Sequence, residues 1–334
     1  MTIFNDVVVI GGGAAGLNGA LMLVRSRRSV LVLDGGSPRN APAEGVHGLL
    51  AREGMPPAEL LERGRAEVRG YGGLVVPGEV TGVTRTPDGF SLSLADGATV
   101  HARRILVATG LTDELPDVAG LRERWGRDVV HCPYCHGWEV RDRPIGVLAT
   151  GPMSVHHALL FRQLSADVML FTHTAPAPSE EDAEQLAALG VPLVDGKVES
   201  LEITGDRITG LRLADGTVVP REVVAVAPRM VARAGFLTAL GPATAENPMG
   251  VYVPTDAAGR TDVPGVWAAG NVTDLSAQVG AAAAAGALAG AQINADLVAE
   301  DARRAVAGRA TPASSAPSTD AGSAADPGPV PPSA

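Results

Sequence analysis

The chain of 334 residues contains two cysteines and a single lysine, and only 3% of its residues are aromatic. Two cysteines cannot supply the disulfide framework of a small secreted domain, so the fold must rest on a hydrophobic core. The lone lysine, Lys197, is one weak candidate for Schiff-base chemistry. Positive charge is also scarce: the net charge is −10, which argues against a phosphate-binding surface and against nucleic acid as a partner. Long apolar runs are missing. The stretch GAAAAAGALAGA (Gly280–Ala291) is too short to span a bilayer and reads as a tightly packed helix of small residues. Near the N-terminus Asp6 interrupts the sequence, and the apolar run after it enters a glycine loop at once, unlike a signal peptide. No membrane association is expected, and the cytoplasm is the default location.

Hydrophobic residues make up 46% of the chain, with abundant Ala, Gly and Val, which suits an α/β protein with close backbone packing. The length allows more than one core. The opening stretch NDVVVIGGGAAGLNGALMLVRSRRSVLVLDGG reads as strand, glycine loop, amphipathic helix and second strand. Gly11, Gly13 and Gly16 form G-x-G-x-x-G in the required context, with Asp34 at the expected distance. Gly11 permits a tight turn, Gly13 lets a pyrophosphate approach the backbone, and Gly16 lets the helix pack close. Asp34 can accept from a ribose hydroxyl, and the helix N-terminus offers amide donors. This is a dinucleotide site.

A second strand–loop–helix–strand follows in RPIGVLATGPMSVHHALLFRQLSADVMLFTHT. The two halves share a later feature as well. FSLSLADGATVHARRILVATG is echoed by ITGLRLADGTVVPREVVAVAP, each reading as strands joined at an Asp-Gly turn (Asp96-Gly97, Asp215-Gly216). The chain therefore reads as duplicated. From about Ala302 the composition shifts to Ala, Ser, Pro, Gly and Asp, and residues 301–334 are expected to be a disordered tail.

Both cysteines lie in HCPYCHGWEV, residues 131–140. Thiols two residues apart can pass an electron pair by opening and closing a disulfide. CPYC also occurs in glutaredoxins, but near the start of a small domain. His131 and His136 beside the cysteines could complete a zinc site, although no second CxxC accompanies them, and no metal is expected. His156 and His157 read as structural or surface residues, while His47 in EGVHGLL is a candidate for cofactor or substrate contact.

The order of these motifs, with ILVATG (Ile105–Gly110) before the CxxC and GVWAAGNVTD (Gly265–Asp274) after the second βαβ, resembles the low-molecular-weight thioredoxin reductase family over roughly residues 5–300. The resemblance implies two Rossmann-like dinucleotide-binding domains of the three-layer ββα type. It implies a split FAD domain, 1–115 and 232–300, around a central unit, 116–231, that carries the thiols, and it implies a homodimer. Carried over, Gly11, Gly13, Ala15, Gly16 and Asp34 hold the adenosine half of FAD, and Thr109 and Gly110 line the cofactor. Gly270 and Asn271 stand where the family usually has Gly-Asp; Asn removes a charge but keeps a hydrogen-bonding carbonyl. Gln278 and Val279 fall at a helix start near the flavin pyrimidine, where amides would stabilise reduced flavin. Cys135 is then the thiol against the flavin and Cys132 the outer thiol that meets substrate. His136 replaces the usual aspartate acid/base and titrates near neutral pH.

The second glycine loop departs from the family. Ala149-Thr150-Gly151-Pro152-Met153-Ser154 keeps only the middle glycine, and Pro152 has no N–H to offer. Thr172, His173 and Thr174 occupy the region where NADPH-using relatives carry paired arginines. NADPH is therefore not expected to bind, and electrons must come from elsewhere. In this, and in the histidine after CxxC, the chain resembles the dithiol oxidases that close disulfides in gliotoxin, holomycin and related products. That branch implies a small dithiol substrate and O2 as acceptor. An NAD(P)H-dependent disulfide reductase, a ferredoxin-reduced one and a redox-responsive binding protein remain open at this stage.

Overall fold

The computed structural model describes residues 4–241 and 244–310. The chain opens with β1 (Phe4–Ile10), α1 (Ala14–Arg25) and β2 (Val30–Asp34), followed by α2 (Pro57–Gly70) and β3 (Leu74–Pro77). A meander of β4 (Val80–Thr86), β5 (Gly89–Leu94) and β6 (Thr99–Val107) leads to β7 (Leu111–Glu114). Next come β8 (Val129–Val130), the short α3 (Pro133–His136), β9 (Ile145–Leu148), α4 (Ser154–Arg162), β10 (Val168–Phe171), α5 (Glu180–Ala188) and β11 (Leu193–Val194). Another meander, β12 (Val198–Thr204), β13 (Arg207–Leu213) and β14 (Val218–Val219), precedes β15 (Val223–Val226) and β16 (Arg229–Ala232). The described chain closes with β17 (Ala245–Asn247), β18 (Gly250–Tyr252), β19 (Val266–Ala268) and α6 (Val279–Ala310).

The first sheet runs β3-β2-β1-β6-β5-β4, with β19 also paired to β6. β6 is long enough to divide its neighbours: Thr99–Ala102 face β5 antiparallel, and Ile105–Val107 lie parallel to β19. Residues from both sides of the central segment thus build one sheet. The second sheet, β11-β10-β9-β15-β8, is wholly parallel. Its strands are apolar throughout because both faces are covered. Along β9 the side chains alternate: Val147 packs with Ala158 and Phe161 of α4, while Leu148 packs with Leu201 and Leu211 of the meander. Helices on one face and a meander on the other make each half a Rossmann-like unit.

The internal echo extends to hydrogen bonds. In one hairpin Gly97 N donates to Leu94 O and Ala98 N to Asp96 Oδ1; in the other Gly216 N donates to Leu213 O and Thr217 N to Asp215 Oδ1. Where the chain crosses between the halves, β7 and β16 pair antiparallel, and β18 and β17 extend that sheet.

The small-residue stretch is the start of α6, as its composition predicts. A Cβ on Gly286 would stand 1.9 Å from Ala15 O, so α6 meets α1 backbone to backbone. The chain forms two compact units, the first Met1–Ala295 with all the sheets, the second starting at Asp296. One expectation needs correction. Residues 301–310 belong to α6 rather than to a disordered tail, because DARRAVAGRA is rich in good helix formers and Arg304 pairs with Glu300 one turn back. The rest of the expected tail, from residue 311, lies outside the described residues.

Candidate active site

A cavity of about 940 Å³ holds most of the residues singled out in the sequence. Gly11, Gly13, Ala15 and Asp34 line it, with Thr109 and Gly110, Gly270 and Asn271, and Gln278 and Val279. Cys132, Cys135, His136 and His47 line it too. Gly16 does not. A Cβ there would lie 1.9 Å from Gly11 O, so its part is the close helix packing expected of a third glycine.

The glycine loop is built for an anion. Gly11 has φ +114°, and a Cβ on it would collide with Ala108 O at 2.3 Å. Helix α1 starts at Ala14 with Gly13 as its N-cap, no capping side chain and no acidic residue in its first turn. Its first amides are left for a ligand, and the space before Gly13 is open. At the end of β2, Asp34 Oδ1 accepts from Gly36 N at 2.9 Å, and Oδ2 accepts from Arg65 Nη2 at 2.8 Å. Lone pairs remain on both oxygens for ribose hydroxyls. Bare helix amides for a pyrophosphate, a carboxylate for a ribose and the start of α6 at Val279 form a donor and acceptor set that fits FAD.

Two neighbours of this cradle also hold the surrounding backbone. The Thr109 hydroxyl donates to Arg233 O at 2.7 Å and so ties the crossing segments together at the cavity wall. The Asn271 amide nitrogen donates to Asp274 O at 3.0 Å and Ala277 O at 2.9 Å, which holds the loop leading into α6. An aspartate could not make either bond.

Cys132 is the N-cap of α3 and is joined to Cys135 in a disulfide, with Cα atoms 5.2 Å apart. Cys135 N and His136 N both donate to Cys132 O, and a Cβ on Gly137 would strike Pro133 O at 2.2 Å. The tight turn therefore needs glycine after CPYCH. Both cysteines are half-buried, while Tyr134 and Trp138 beside them are exposed. His136 is half-buried; burial pushes its pKa down, Glu139 and Glu44 pull it up, and His47 opposes its charging. His157 is a buried structural histidine, its Nε2 donating to His131 O and its ring edge-on to Phe161. Burial holds its pKa down to about 4. Among the described residues no cluster of three or more metal-ligating side chains occurs, and no helix is long and apolar enough to cross a membrane.

At the second loop the structure supplies a residue that sequence reasoning passed over. The Ser154 hydroxyl accepts from Thr150 N at 3.1 Å and Gly151 N at 3.3 Å, and donates to Gly151 O at 2.7 Å. With Pro152 lacking an N–H, the Thr150 and Gly151 amides are both taken by the loop's own serine. The signal was readable in the Gly151-x-x-Ser154 spacing of a local serine turn. Thr172 Oγ1 accepts from Gly196 N, and His173 Nδ1 from Val198 N, so these side chains are also occupied by backbone. Arg65, which grips Asp34 from α2, had no signal in the sequence because only packing brings it there.

The family model described as pyridine nucleotide-disulphide oxidoreductase matches residues 5–288. "Thioredoxin reductase tcpT" of Claviceps purpurea (strain 20.1) is 30% identical over 306 residues, covering 88% of this chain and 95% of its own. The crystal structure of HlmI is 49% identical with a TM-score of 0.87, covering 93% of this chain and 98% of that one. An oxidoreductase from Agrobacterium tumefaciens is 36% identical with a TM-score of 0.83, covering 89% of this chain and 99% of that one. The family resemblance read from motif order is borne out. With a glycine cradle and a disulfide pair on one cavity, the chain belongs to the pyridine nucleotide-disulphide oxidoreductase family, as a thioredoxin reductase-like enzyme whose membership implies FAD.

Proposed function

We propose that the protein is an FAD-dependent dithiol oxidase, acting in the cytoplasm as a homodimer on a small dithiol and using O2 as acceptor. The observation that carries this reading is the closed second loop. Ser154 takes the Thr150 and Gly151 amides, Pro152 has none, and Thr172 and His173 are held by backbone where paired arginines would be needed. An intact disulfide site, together with a second loop whose Thr150 and Gly151 amides are taken by Ser154, favours electrons entering from thiols.

Cys132 takes the attack of a substrate thiolate, forming a mixed disulfide, and the second substrate thiol resolves it. The substrate leaves as a disulfide, and Cys132 and Cys135 are left as thiols. His136 accepts the proton that each attacking sulfur must lose, and its pKa, lowered by burial, lets it release that proton again. Bound FAD would supply the two-electron chemistry linking the thiols to O2, for an overall R(SH)2 + O2 → RS2 + H2O2. The test is anaerobic absorbance of the yellow protein mixed separately with dithiothreitol, NADH and NADPH. Bleaching by the dithiol alone, with recovery in air, is expected; rapid bleaching by a nicotinamide would sink the oxidase reading.

A second reading, an NAD(P)H-dependent disulfide reductase, has one observation in its favour. Burial first, and the charge of Lys197 second, disfavour the charged form of His173, so one cation acts in the region where the 2′-phosphate is expected. A lysine is a weaker substitute for two bidentate arginines.

A further inference from the structure

Dithiol oxidation breaks two S–H bonds and makes one S–S bond. The electron pair passes through Cys132 and Cys135, but the two protons leave the substrate at one moment and join oxygen at another. His136 holds one proton at a time, so it needs a route to solvent. Most ionisable groups on the cavity wall cannot serve. Asp34 is gripped by Arg65, and Asp113 is locked by Arg39 in a bidentate pair at 2.7 and 2.8 Å. His131 Nδ1 rests 3.3 Å from Val226 O, and burial pushes its pKa down.

His47 differs. Its Nδ1 lies 2.6 Å from Glu53 Oε1 and its Nε2 lies 3.5 Å from Glu139 Oε1. Glu139 is three residues beyond His136, and Glu139 and His47 both act on the charge of His136. At the other end the Glu53 side chain is 66% exposed. Its second oxygen accepts from Gly48 N at 2.9 Å, and a Val46–Met55 bridge closes the loop, so the pair is preset. One imidazole thus has a nitrogen toward each of two carboxylates, one on the cysteine side and one at the surface. Glu53 and Glu139 are the charged groups in contact with it, and His136 is within reach of its charge.

We propose that His47 is a proton-relay residue, passing protons between the His136 side of the cysteine pair and the exposed Glu53 carboxylate. This rests on the cysteine pair being the thiol-exchanging centre, whichever way electrons flow.

The test uses flavin-loaded protein mixed rapidly with dithiothreitol and quenched with iodoacetamide, with alkylated Cys132 and Cys135 read by mass. His47→Gln is expected to slow their appearance by about 10- to 100-fold, and imidazole added to the buffer restores most of the rate. Wild-type rates in His47→Gln, or a slow rate that imidazole leaves unchanged, overturn the relay. Should that variant lose flavin, the exposed Glu53→Gln carries the same test, with a smaller slowing that imidazole also relieves. If NADPH turns out to reduce the cysteines, the comparison is repeated with NADPH as reductant, so failure of the oxidase direction and failure of the relay give different results.

Discussion

The Asn271 side-chain amide donates to Ala277 O at 2.9 Å, bridging the turn after β19 to the residue before Gln278 and Val279. An aspartate, which the family resemblance implies at this position, could not make that bond. Asn271→Asp would set a carboxylate against the carbonyls of Asp274 and Ala277, removing two bonds worth about 1 kcal/mol each. The loop that sets the start of α6 should loosen, and flavin affinity should fall about tenfold or more. Fluorescence titration of the stripped protein with FAD measures this; unchanged affinity would separate the loop from the cradle.

Cys132→Ser and Cys135→Ser are each expected to abolish dithiol turnover while the protein stays yellow, because neither sulfur belongs to the glycine cradle. Oxygen uptake with dithiothreitol and the flavin absorbance of the purified variants decide the point. Normal uptake in either one would remove the disulfide from the mechanism.

Stability in the central segment should depend on a buried ion pair. Arg124 Nε and Nη2 bind both oxygens of Asp128 at 2.7 and 2.6 Å, and Asp128 also accepts from Ile208 N. Arg124→Ala would strand a buried carboxylate, at a cost of about 3–5 kcal/mol. Urea denaturation should show the loss, and Arg124→Leu combined with Asp128→Leu should cost less than the sum of the two single changes.

Acid should weaken the fold partly through His157. Its pKa is held down to about 4 by burial, against about 6.5 in an unfolded chain. A depressed histidine favours the fold fully above pH 6.5, and that contribution is lost as pH falls toward 4. The amount is roughly 3 kcal/mol. His157→Gln removes the titration, so melting temperatures measured from pH 7 to 4.5 should fall less steeply than in the wild type. An identical slope would mean other groups carry the acid response, His131 first among them, since burial depresses it as well.

Much of the fold was legible because its signals are local. Strand β1 followed by Gly11, Gly13 and Gly16, and the two Asp-Gly hairpins, follow from backbone requirements of neighbouring residues. The helix runs ten residues into the expected tail because helix propensity in DARRAVAGRA outlasts the first tail-like composition. Within the site, residue types at fixed spacing were visible, but their partners were not. The Asn271 NH2 bonds to Asp274 O and Ala277 O and the Thr109 hydroxyl bond to Arg233 O link backbone that sequence spacing does not bring together.

By itself, then, the sequence determined the βαβ units, the glycine cradle, the disulfide pair and the family, since each depends on residues close along the chain. Tertiary structure alone decided what lies across the cavity from them. It brought Arg65 to Asp34 and the Glu53–His47 pair to Glu139 beside the cysteines. Those contacts join positions from different elements, and their geometry is set by how sheets and helices pack.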